Sequence, residues 1–104
     1  MRSDAWVIHI ALHPDETVSA EMLDLVMAGA SLDLPLVVLF SGGGRDHLRG
    51  GWASRWRQLT DFGLARLAYQ LEDDVVFRPE MPAEGLDATK VEMLLEHARG
   101  VLKL

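Results

Sequence analysis

The chain of 104 residues contains no cysteine. That excludes a disulfide framework, a thiolate metal site and a cysteine nucleophile within it. It also lacks any apolar run approaching the ~18 residues that a membrane-spanning helix requires. The opening, MRSDAWVIHIAL, is charged at its start but has neither the long apolar run nor the small-residue cleavage site of a secretory signal. Both features fit a cytoplasmic location. Positive charge is scarce as well. Ten Lys plus Arg stand against sixteen Asp plus Glu, a net charge of -6. Such a field repels phosphate backbones and anionic membranes, so neither nucleic acid nor a membrane is expected as a direct partner.

Further absences bear on single motifs. The stretch LFSGGGRDHLRGG, Leu39 to Gly51, holds five glycines and follows the apolar run Leu36 to Phe40. A P-loop would need a lysine and a hydroxyl after its last glycine, to reach the phosphates and the magnesium ion. Here Gly44 is followed by Arg45, and no lysine occurs before Lys90. A dinucleotide fingerprint needs glycines on the first strand–helix turn, and that turn, LHPDET, has none. Ser41 precedes the glycines, but the G-x-S-x-G elbow of a serine nucleophile is missing.

What is present describes one α/β domain spanning residues 1–104, with 49% hydrophobic and 25% charged residues. A domain of this size buries roughly 65% of its unfolded surface, so spare apolar surface is a candidate for subunit contacts. Residues 5–12, AWVIHIAL, read as a strand covered on both faces, with His9 as a satisfied core histidine. A helix follows from about Val18 to Leu32, its core stripe set by Met22, Leu25, Val26 and Gly29. Leu34 to Ser41 is the second strand, completing a right-handed βαβ unit. After the glycine loop, Ser54 is placed to cap a helix from Arg55 to Phe62, which Gly63 ends. Trp52 and Trp56 on this segment read as core or subunit interface.

Leu64 to Leu71 alternates like a half-exposed third strand. In the next stretch, EDDVVFRPEMPAEG, Val75 to Phe77 could form a short strand or lie in a loop. Asp87 is an N-cap for the last helix, with Leu86 and Val91 as a hydrophobic staple and Gly100 as the stop. VLKL closes the chain as a strand. The sum is a compact sandwich of four or five mostly parallel strands with helices on both faces. Met22, Met27 and Met93 read as core filling.

The candidate chemistry lies at the carboxyl ends of the strands. Gly42, Gly43 and Gly44 reverse the chain, and their bare amides, with Arg45 or Arg49, could hold a small anion or let another chain approach closely. This small-molecule or anion-binding reading of residues 41–51 is the alternative function. Arg55 and Arg57 add to the basic residues there and read otherwise as a solvated face. His13 and His47, with Asp15 and Asp46, could converge for acid–base work or a metal. His97, late in the last helix, complements the helix dipole.

The order of elements resembles the DsrE/DsrF-like family of small sulfur-relay proteins, which includes TusC and TusD. The resemblance rests on WVIHIAL, AEMLDLVMAGASLDLP, LVVLFSGGG and KVEMLLEHARGVLKL and covers nearly the whole chain. It implies a flavodoxin-like three-layer sandwich and homo- or hetero-oligomers with related subunits. Carriers of this family hold a persulfide on a cysteine near the end of the third strand. The comparable stretch here is AYQL, Ala68 to Leu71, and neither Tyr69 nor Gln70 can replace a thiol. The resemblance therefore implies a non-catalytic subunit with no cofactor, no metal and no catalytic residue. Its ligand or partner rim would comprise Ser41, Gly42, Gly43, Gly44, Arg45, His47, His13 and Tyr69.

Overall fold

The structure, a computed structural model, describes residues 5–73 and 75–104. Met1 to Asp4 and Asp74, included in the readings above, lie outside the described residues. Five strands, β1 (Trp6–Ile10), β2 (Leu36–Phe40), β3 (Arg66–Gln70), β4 (Glu84–Leu86) and β5 (Gly100–Lys103), form one sheet in the order β4-β3-β2-β1-β5. Every pairing is parallel, with Trp6 beside Leu36 and Gly100, and Val38 beside Leu67. The helices are α1 (Glu16–Ser31), α2 (Gly50–Asp61) and α3 (Ala88–His97), and a short 3-10 helix spans Gly42–Leu48. Among the described residues no helix is long and apolar enough to cross a membrane.

The layers follow from connection handedness. β1, β2, β3 and β4 step in one direction across the sheet, so right-handed crossovers place α1 and α2 on the same face. The return from β4 to β5 runs the other way and puts α3 on the opposite face. The two cores agree with this. Ile8, Ile10, Val38, Phe40 and Leu67 pack with Met22, Val26, Trp56 and Leu59 on one side. Val7, Val37, Leu39 and Ala68 pack with Val91, Leu94 and Leu95 on the other. The result is a flavodoxin-like three-layer sandwich, with β5 outside β1 where the 2-1-3-4-5 order would put β2.

Several local expectations change. α1 begins at Glu16 because the Asp15 carboxylate accepts from the amides of Thr17 and Val18. Its core stripe is Met22, Leu23, Val26 and Ala30, and Leu25 is 48% exposed. α2 begins at Gly50, five residues ahead of the expected start, and Ser54 is an exposed residue within it. The cap comes from a distance: the Gly50 amide donates to the Glu80 carboxylate at 2.6 Å. Gly63, with φ 64, does end that helix region. β3 is covered on both faces, since Leu67 and Ala68 are both buried. Val75 to Phe77 form no strand; an isolated antiparallel bridge joins Glu72 to Val75, and the fourth strand is Glu84–Leu86. α3 stops at His97, and Gly100 opens β5 beside Trp6. Met93 points to solvent at 53% exposure.

Candidate functional site

The glycine segment is not an open loop. Its 3-10 turn is pinned at Gly44, whose amide donates to the Ser41 carbonyl at 2.9 Å. Gly44 also packs so closely on the end of β1 that a Cβ there would sit 2.1 Å from the Ile10 carbonyl oxygen. Gly43 lies under the His13 ring, and Gly42 adopts a φ of +53. The glycines thus let β1 and β2 end side by side while the chain turns over them.

The charged residues of this segment are engaged within the chain. Arg45 is buried; its Nε donates to the Gly42 carbonyl, its NH1 reaches the Gln70 carbonyl at 3.5 Å, and its NH2 lies 3.5 Å from Glu72. Its guanidinium also sits over the Phe77 ring, which in turn packs on Tyr69 with centroids 5.1 Å apart. Glu80 takes the Gly50 amide and lies 4.0 Å from Arg49. Residues 75–83, ahead of β4, are therefore drawn over the carboxyl ends of the strands, with the Met81 side chain among them buried.

The histidines separate into three environments. His13 meets Asp46 at 3.2 Å in a solvent-exposed pair, while Asp15 is occupied as the α1 cap. His47 is fully buried among Phe40, Trp52 and Trp56. Its Nδ1 accepts from the Trp56 indole N–H at 3.3 Å, so the proton resides on Nε2, which has no hydrogen-bond partner of good geometry. Burial lowers the His47 pKa most; the nearby Leu12 carbonyl and Asp46 oppose that, and His13 adds to it. An imidazole so enclosed is a packing residue with no free basic nitrogen to offer solvent. His9, half-buried, holds Ser41 Oγ at 2.6 Å through Nε2. Burial lowers its pKa too, helped by the Lys103 cation. This His9–Ser41 link was not foreseen, because strand alternation shows which side chains share a face and not which partner meets them. Among the described residues no group of three or more His, Asp or Glu side chains is arranged to hold a metal.

Two neutral histidines, His47 buried and His9 half-buried, give a pH dependence of defined sign. Both are held below the ordinary value of 6.5 in the folded state, so the unfolded chain binds protons first. Stability is complete above pH 6.5 and falls as the pH drops toward the folded-state values. The slope is at most about 1.4 kcal/mol per pH unit per proton. Urea unfolding between pH 7.5 and 5.5 should show this loss, and His47→Gln should reduce it. An unchanged slope in that variant would count against the assignment.

Apolar surface gathers at the edge of the sheet. Between α1 and the ends of β1 and β5 runs a groove of about 340 Å³, lined by Leu12, Val18, Met22, Leu25 and Leu104, with Glu21 beside them. Leu102 on β5, beside Ile8, is about half exposed on the same face, while Val101, beside Val7, is about half exposed on the α3 face. Compared with known protein families and with curated proteins, the chain matches no family model and no curated relative.

Proposed function

We propose that the protein is a non-catalytic subunit of the DsrE/DsrF-like kind, which associates with related subunits and scaffolds or regulates intracellular sulfur transfer without carrying persulfide itself. The observation that carries this reading is the state of the carboxyl end of β3. Tyr69 and Gln70 stand where a carrier would need a thiol. Phe77, Arg45 and Glu72 close over them from the same chain. A sulfur carrier needs a polarisable nucleophile open to a donor and an acceptor, and this edge provides neither. Exposed apolar side chains along α1 and β5 suit a protein that works through contacts with other chains.

The test has two arms. Purified protein incubated with a cysteine desulfurase and cysteine should gain no sulfane sulfur by intact-mass spectrometry. Capture from native extract should recover subunits of sulfur-transfer assemblies. Protein that accepts and passes on sulfur unaided overturns the reading, and so does capture that recovers no sulfur-transfer protein.

A further inference from the structure

We propose that the outer face of α1 and α2 is a docking surface for a second copy of this chain, self-complementary about a two-fold axis running between the helices. The charge is divided cleanly. Over its sixteen residues α1 carries Glu16, Glu21 and Asp24 and no Lys or Arg. In α2, Arg55 and Arg57 stand against a single acid, Asp61. The two helices lie side by side on one face of the sheet. Hollows between them are lined at one end by Glu16, Trp52 and Arg55, and at the other by Ala30 and Leu64.

Each helix also ends on a large apolar side chain held in water. Leu32, the C-cap of α1, is 74% exposed, and Phe62, the C-cap of α2, is 73% exposed. A two-fold axis parallel to the helices lays α1 of each copy on α2 of the other, so every contact occurs twice. Such an axis preserves height along the helices, and the β2–β3 register, Val37 beside Arg66, already holds Leu32 and Phe62 at similar heights, so each meets the other of the second copy. Asp24 then lies eight residues back from Leu32, about 12 Å along its helix, and Arg55 seven residues back from Phe62, about 10.5 Å. Acid therefore meets base in the same register that brings apolar to apolar, with Glu21 a turn further on.

Arg55 is the cation free to make this contact. Its guanidinium rests over the Trp52 ring at 4.5 Å and, among the described residues, meets no carboxylate, whereas Arg57 is paired with Asp61 at 3.6 Å. The β5 edge is a poorer place for a second copy. It is four residues long and carries Lys103, both of which discourage edge-to-edge strand pairing.

The inference rests on the protein being an associating subunit, and charge exchange separates the two. Sedimentation equilibrium at up to about 100 µM should show a dimer. Asp24→Arg and Arg55→Asp should each weaken it at least tenfold, and the double variant should return within about threefold of the original. All three exchange exposed side chains, and circular dichroism confirms that each variant folds. A dimer indifferent to both single exchanges, or a double variant that stays monomeric, overturns this surface and leaves association by another face intact. A wild-type monomer overturns it as well, while capture of sulfur-transfer partners would still uphold the subunit reading.

Discussion

Replacing Trp56 with alanine is expected to bring the protein close to global unfolding at room temperature. The ring is fully buried and meets Phe40 edge-on with centroids 5.1 Å apart. Truncating a buried aromatic costs about 3–5 kcal/mol through lost burial and the cavity left behind. A second loss adds to it, because the His47 Nδ1 would lose its only donor in a place water does not reach. An orphaned buried acceptor costs about 1–3 kcal/mol more. Together these rival the 5–15 kcal/mol that holds a typical domain folded. Trp56→Phe narrows the comparison, since it keeps an aromatic ring in the core but removes the N–H together with part of the indole. It should lose about 1–3 kcal/mol by urea unfolding. If both variants fall by the same small amount, His47 and Trp56 are not the coupled core that the geometry describes.

The three consecutive glycines should respond very differently to alanine. Gly44→Ala is expected to cost on the order of 3 kcal/mol or more, at the upper end of overpacking effects. The new Cβ would meet backbone on the β1 side, 2.1 Å from the Ile10 carbonyl oxygen and 3.2 Å from the Ala11 Cα. Neither atom can swing aside without displacing the end of β1. For Gly43→Ala the nearest atoms all belong to the His13 ring, which is exposed and can rotate away, so it should stay within about 0.5 kcal/mol. Gly42→Ala has open space around it but must hold φ +53, a strain of about 1–2 kcal/mol. The predicted order, Gly44 far above Gly42 and Gly42 above Gly43, is read by thermal or urea unfolding of the three variants. Equal costs would mean that the segment is the open loop its composition first suggests.

Much of the fold was legible along the chain. Unbroken apolar runs announced β1 and β2 because both of their faces are covered. Asp87 announced a helix start because a cap of that kind is satisfied within three residues; Asp15 caps α1 in the same local way, although the sequence reading began that helix at Val18. At the candidate site the sequence placed His13 and Asp46 at one edge of the sheet, where they do meet. The roles there were not legible. Arg45 read as a free cation and is a buried tie between the 3-10 turn and the end of β3, and His47 read as a reactive histidine and is part of an aromatic core.

The absence of any thiol is a matter of composition, and the alternation of strands and helices and the Asp87 cap were determined by the sequence alone because they depend on neighbours a few residues away. Tertiary structure decided the rest. α2 starts at Gly50 because Glu80, thirty residues distant, reaches back to cap it. β4 is Glu84–Leu86, though three residues carry too weak a pattern to announce a strand. It is held by its ladder to β3 and by the Arg66–Glu84 pair. Leu25 sits on the apolar period of its helix and yet is about half exposed, because the sheet ends at β5 and, among the described residues, no further element covers it. Contacts of this range depend on which surfaces the completed fold brings together, and no local pattern carries that information.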